Sequence, residues 1–162
     1  MAGQTATFTK YDLLELMGEY EACKKSYEFV NSCEDIEECL EKAPFEYLIW
    51  VLAKRPDLSH LVDWSKLDGE DWSFLLRNQP QFSDKCDWYK LNGVDWSELL
   101  QFQPQFATYC YWDKLDGLDW RYLLVVQPQF ATYCYWDKLS EVDWRYLLQP
   151  QPQFVKYKPV SK

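Results

Sequence analysis

The stretch PQFATYCYWDKLDGLDWRYLLVVQ, residues 104–127, runs directly into PQFATYCYWDKLSEVDWRYLLQPQ, residues 128–151. The two copies share QPQFATYCYWDKL, at 103–115 and again at 127–139, and DWRYLL follows in both. Such closeness implies a recent duplication or a constructed array. Followed outward, the same 24-residue interval relates Trp64, Trp88, Trp112 and Trp136, and in a second series Trp72, Trp96, Trp120 and Trp144. It also relates Pro56, Pro80, Pro104, Pro128 and Pro152, and the cysteines Cys86, Cys110 and Cys134. Eight of the nine tryptophans are therefore repeat positions. A fixed period of this length is the signature of a stacked array, because no single 24-mer buries enough apolar surface to hold itself folded.

Four repeats follow, at 56–79, 80–103, 104–127 and 128–151. The first is degenerate at its front, where Asp57, Leu58 and Val62 stand in place of Gln, Phe and Cys. The fragment PQFVKY closes the series. Asp71, Asp95, Asp119 and Asp143 each precede a Trp and a Leu-Leu pair, which predicts one helix per repeat with that Asp as N-cap and Trp and Leu on a shared face. The next Pro disfavours helix at the Gln before it and opens a new helical turn. Phe82 with Cys86, and Trp88 with Leu91, are spaced for one or two further short helical segments. Gly69, Gly93 and Gly117 are expected in the turn between segments, where a positive φ is tolerated. A strand at CDWYKL, in the manner of a leucine-rich horseshoe, is the competing reading.

Outside the repeat, residues 1–55 carry helical apolar spacing, as in Phe45, Leu48, Ile49 and Leu52, over four segments: Tyr11–Tyr20, Glu21–Val30, Asp35–Lys42 after a cap at Ser32, and Pro44–Lys54. The predicted fold is all-α: an N-terminal helical cap at 1–55, a four-repeat solenoid at 56–151, and a C-terminal cap fragment with a basic tail at 152–162. The eight repeat tryptophans are assigned to holding neighbouring copies together.

The unit CDWYKLNGVDWSELLQFQPQF, residues 86–106, resembles an uncharacterised class of Trp-rich, roughly 24-residue repeats of bacterial and phage proteins. The stretch EECLEKAPFEYLIWVLAKR, residues 37–55, is similar to a helical segment common in small phage and gut-bacterial proteins. The resemblance implies a helical solenoid of bacterial or phage origin and implies no chemistry.

Composition narrows the function classes. The 162 residues carry 17 basic and 26 acidic side chains, a net charge of -9 that repels phosphate backbones and anionic membranes, so no direct nucleic-acid or membrane binding is expected. No apolar run is long enough to span a bilayer, and MAGQTATFTK lacks a secretory h-region, which points to the cytoplasm of a bacterial or phage-infected cell. Six cysteines in that compartment stay reduced, and Cys86, Cys110 and Cys134 are expected as a buried ladder out of bonding reach of one another. His60 stands alone, and its spacing from Cys23, Cys33 and Cys39 does not suit a metal site. No phosphate loop or dinucleotide fingerprint is present. No catalytic residue, cofactor or metal is assigned, and the chain reads as a non-enzyme.

Positions where the repeats disagree point to recognition. Repeats three and four carry Tyr109, Tyr111, Tyr133 and Tyr135 where repeat two is polar; Tyr122 and Tyr146 stand where repeats one and two have Phe74 and Glu98; Phe102 replaces Asn78. With the core already filled by Trp, Phe and Leu, these aromatics are expected at the surface, as a binding face for a protein with a basic surface. The alternative is a phage-type inhibitor, of anti-CRISPR or DNA-mimic class, that occludes a nucleic-acid-processing enzyme.

Overall fold

A computed structural model describes residues 8–20 and 22–159, and it is helical throughout, with no strand among the described residues. The chain divides into two compact units, Met1–Val62 and Asp63–Lys162.

The N-terminal unit holds α1 (Lys10–Glu19), α2 (Lys24–Ser32), α3 (Ile36–Lys42), α4 (Phe45–Lys54) and a 3₁₀ turn at Pro56–Leu61. Thr9 and Asp12 form a capping box at the start of α1. Asp35 caps α3 by accepting from the Glu38 amide at 2.9 Å. The cap is thus Asp35 and not Ser32, which closes the last turn of α2 with its hydroxyl donating to the Phe29 carbonyl. Glu21, the expected start of α2, lies outside the described residues. Leu13, Leu16, Met17, Val30, Ile36, Cys39 and Val51 make one buried cluster, with Phe29 and Trp50 packed on it.

The second unit repeats one motif: a short 3₁₀ turn on the first Trp, a helix, then a six-residue 3₁₀ turn opened by Pro. Its helices are α5 (Gly69–Asn78), α6 (Gly93–Phe102), α7 (Gly117–Val126) and α8 (Glu141–Leu148). Each begins three residues earlier than the sequence predicts. The N-caps are Asp68, Asn92, Asp116 and Ser140, and the Asp before Trp sits at N3, completing a reciprocal capping box in every repeat. Position 68 and its equivalents vary only among Asp, Asn and Ser because all three accept from the N3 amide. Each long helix stops at a Gln held at φ near -130° by the Pro that follows it. The last one, α8, ends two residues sooner because Pro150 cannot continue it.

The segment CDWYKL is a 3₁₀ turn at Trp88–Lys90 flanked by extended backbone at Cys86 and Leu91. Single extended residues on either side explain the strand-like pattern, and no second strand pairs with them.

The glycines do not occupy turns. Gly69, Gly93 and Gly117 are the first residues of α5, α6 and α7, and what they require is space. A Cβ on Gly93 falls 2.5 Å from the Lys114 carbonyl oxygen and against the Asp119 carboxylate of the next repeat; Gly69 meets Lys90 and Asp95 in the same way. Repeat four has Glu141 at this position, where the side chain is exposed and pairs with Lys158.

Stacking is fastened by three polar contacts that recur at the junctions. Lys114 Nζ donates to the Tyr89 and Leu91 carbonyls of the repeat before it at 2.6 and 2.8 Å, and Lys90 and Lys138 do the same one step to either side. Gln103, Gln127 and Gln151 reach back to the Arg77, Gln101 and Val125 carbonyls, which the preceding helix leaves unpaired at its C-terminus. Ser73 and Ser97 donate forward to the Asp95 and Asp119 carbonyls; in repeat three Arg121 replaces the serine and pairs with Asp143 at 3.3 Å.

Candidate protein-binding faces

Two tryptophan series build an aromatic spine with unequal burial. Trp72, Trp96, Trp120 and Trp144 are the largest fully buried side chains, while Trp64, Trp88, Trp112 and Trp136 are half-buried. Within a repeat the two stack: Trp88 lies 5.5 Å from Trp96 at 15°, and Trp112 and Trp136 repeat that geometry on Trp120 and Trp144. The next repeat adds Phe106, Phe130 and Phe154 at 5.3–5.4 Å. The indole N–H groups of Trp72, Trp96 and Trp120 are buried without a hydrogen-bond partner, a cost of about 1–3 kcal/mol each that the stacking must outweigh.

The candidate binding residues fall into groups with different surroundings. Tyr109 and Tyr133 stack on Trp88 and Trp112 of the preceding repeat, at 4.6 and 4.7 Å and nearly parallel, and Tyr157 does so on Trp136. They are about half exposed, so each ring both seals a junction and meets solvent. Tyr111 and Tyr135 stand at the position of Asp63 and Asp87. Those aspartates cap their 3₁₀ turns by accepting from the Ser65 and Tyr89 amides at 3.2 Å. The tyrosines make no such cap and remain exposed, at 38% and 45%. Tyr111 meets Tyr89 edge-on at 5.1 Å, and the Lys114 ammonium lies 5.0 Å from the Tyr89 ring centre and 5.3 Å from that of Tyr111. Tyr89 is itself 71% exposed, and with Tyr157 it extends this face beyond the residues singled out by comparing repeats. Asp84, Asp87, Asp113 and Asp137 are exposed on the same turns, while Lys90, Lys114 and Lys138 are engaged with backbone carbonyls.

Phe102, Tyr122 and Tyr146 belong elsewhere. They lie on the outward side of the array helices, where Arg77 approaches Phe102 at 5.8 Å and Arg121 approaches Tyr122 and Tyr146 at 4.7 and 5.2 Å. Val94, Leu118, Val126 and Val142 are exposed beside them on that side. The signal that finds these residues is helical spacing from the buried Trp: positions two before, two after and six after Trp96 or Trp120 face away from the core.

The cysteines are free, and Cys86, Cys110 and Cys134 are half-buried where full burial was expected. Desolvation still pushes the thiols of Cys86 and Cys134 up to about 12, and Cys110 up as well. Cys23 is the opposite case: exposed, and held below the ordinary thiol value by its hydrogen bond with Ser26 at 3.1 Å. His60 is exposed beside the Asp57 carbonyl. Among the described residues no three His, Cys, Asp or Glu side chains gather into a metal-binding group, and no helix is long and apolar enough to cross a membrane. A half-open apolar cavity of about 310 Å³ in the N-terminal unit is walled by Leu13, Met17, Phe29, Val30, Trp50 and Val51, among others.

The chain is a Trp-rich helical repeat protein by its own periodicity and geometry; set against protein-family models, curated proteins and solved structures, it matches none of them.

Proposed function

We propose that this chain is a non-enzymatic scaffold whose 3₁₀ turns present an acidic, tyrosine-rich face to a protein with a basic surface. The observation that carries the reading is the exchange at Tyr111 and Tyr135. Repeats one and two spend that position on a capping aspartate, worth about 1 kcal/mol, and repeats three and four give the cap up for an exposed ring. A stability device surrendered for a solvent-facing aromatic is what a recognition surface looks like, since Tyr supplies contact area at low entropic cost. The neighbouring Asp84, Asp87, Asp113 and Asp137 favour a cationic partner and speed its encounter. The likeness of residues 86–106 to bacterial and phage repeats makes a bacterial or phage-infected cell the setting in which to look.

The net charge of -9 supports a second reading, in which the basic partner is a nucleic-acid-processing enzyme and this face fills its channel. One experiment addresses both. The double variant Tyr111→Asp, Tyr135→Asp restores the caps of repeats one and two, so the fold is kept while the rings are lost. Pulldown from a bacterial lysate with this variant is expected to lose the partners that the unaltered chain captures. Unchanged capture refutes the tyrosine face. If a captured nuclease is released by added DNA in a salt-dependent way, the inhibitor reading gains over simple scaffolding.

A further inference from the structure

The array carries a second exposed surface, and we propose that it pairs this chain with another copy of itself across a two-fold axis. The surface is the outward stripe of α6, α7 and α8. Val94, Phe102, Leu118, Tyr122, Val126, Val142 and Tyr146 lie along it at helical intervals of four and at repeat intervals of 24, each between 45% and 65% exposed. Contiguous apolar side chains at that exposure are uncommon on a monomer and mark an interface. The stripe shares no ring contact with the tyrosines of the 3₁₀ turns among the described residues, so it is a face in its own right.

Three features identify the occupant as a second copy. First, the stripe is centred. In repeat one the same positions hold Glu70, Asn78 and a partly buried Phe74, so the exposed stripe spans three helices with α7 in the middle. An axis through α7 lays α6 of one copy on α8 of the other and sets Leu118, Tyr122 and Val126 against themselves, the self-matching that an isologous dimer requires. Second, the charges are complementary under that operation. Glu98 on α6 is about half exposed beyond its pair with Arg77, and Arg145 on α8 is exposed and enters no ion pair among the described residues. The axis brings Glu98 to the partner's Arg145, twice. Third, the area fits. The seven side chains present on the order of 600–700 Å² per copy, close to the roughly 800 Å² a side of a standard interface once their neighbours are counted. A hollow of about 350 Å³ between α6 and α7, lined by Arg77, Val94, Glu98, Phe102, Leu118 and Tyr122, offers a seat for the partner's Tyr146.

Sedimentation velocity between 1 and 100 µM tests this. The chain of 19.5 kDa is expected to move as a species of twice that mass in the upper part of the range. Tyr122→Glu, which acts on both sides of the axis, is expected to weaken pairing about 100-fold or more without altering the far-UV circular dichroism. Arg145→Glu is expected to weaken it about tenfold, and adding Glu98→Arg to restore most of the loss. A chain that stays monomeric at 100 µM overturns the proposal, as does a dimer indifferent to Tyr122→Glu. A double variant no tighter than Arg145→Glu alone overturns the placement of the axis. Tyr111→Asp with Tyr135→Asp leaves the dimer intact, which keeps this outcome separate from that of the tyrosine face.

Discussion

Replacing Gly93 by Ala tests the stacking geometry at its tightest point. The new methyl carbon falls 2.5 Å from the Lys114 carbonyl oxygen, onto the Asp119 carboxylate, and 3.2 Å from Leu115 Cα. Carbon and its neighbours rest at about 3.5–4.0 Å, so repeat three has to retreat by roughly 1 Å along the whole junction. Such overpacking costs about 1–3 kcal/mol. The same retreat stretches the bonds that Lys114 makes to the Tyr89 and Leu91 carbonyls, now 2.6 and 2.8 Å, and charged hydrogen bonds are worth about 1.5–3 kcal/mol. Ala at a helical position returns about 0.5–1 kcal/mol relative to Gly. The net is a loss of about 3 kcal/mol. For a unit the size of Asp63–Lys162 that lowers the melting temperature by roughly 15 °C. Thermal unfolding followed by circular dichroism reads it. Glu141→Ala is the control: the residue occupies the same position with nothing stacked on it, and its ion pair with Lys158 is 70% exposed on the Glu141 side, so the change stays within about 0.5 kcal/mol. A Gly93→Ala protein within 1 kcal/mol of the parent refutes the reasoning.

Lys114→Met keeps the aliphatic stem but leaves two carbonyls unpaired, and is expected to cost about 2 kcal/mol in urea denaturation, whereas Lys66→Met, on an exposed side chain of the first repeat, is expected to cost almost nothing. Burial raises the carboxyl of Asp95 above its ordinary value, so its stabilising contribution is complete below the unfolded carboxylate range and is lost as pH rises through the raised value. Asp95→Asn, which keeps an oxygen to accept from the Asn92 amide, is therefore expected to melt higher at pH 7, the advantage closing toward pH 4; equal melting temperatures at pH 7 contradict it. In the native protein at pH 7.5, iodoacetamide is expected to modify Cys23 first and Cys86, Cys110 and Cys134 only on unfolding, checked by peptide mass spectrometry.

The architecture was legible in the sequence because two signals with one physical origin coincide. Trp, Phe and Leu recur every 24 residues where copies touch, and Pro and Asp recur where backbone must turn. What misled was the assumption that the invariant residue is the cap. Asp71 and its equivalents are invariant because N3 must accept from the cap amide, and Asp95, Asp119 and Asp143 must also fit against the glycine of the preceding repeat, whereas the cap itself tolerates Asp, Asn or Ser. The glycines misled similarly: an alignment of repeats shows that Gly is lost at 141 but not that Gly69, Gly93 and Gly117 each face the following repeat, which only stacking reveals. For the binding faces, the excess of Tyr in repeats three and four was visible. Its division into turn and helix faces was not, because Tyr111 and Tyr122 differ in the elements they ride on and in whether Lys114 or Arg121 lies over the ring. Val94, Leu118 and Val142 were hidden in another way, since an exposed aliphatic residue is indistinguishable from a core one until the helix start is placed.

Removing residues 104–127 in one piece tests most directly the claim that each 24-mer adds the same stacked shape. The cut joins Gln103 to Pro128 and recreates a native junction, with Lys138 meeting Tyr89 and Leu91 and Tyr133 meeting Trp88. The shortened chain is predicted to unfold in a single cooperative transition, at a lower temperature and with a smaller urea m-value, in proportion to the one junction lost. A chain that loses cooperative unfolding, or one whose melting temperature and m-value equal those of the full array, contradicts the account.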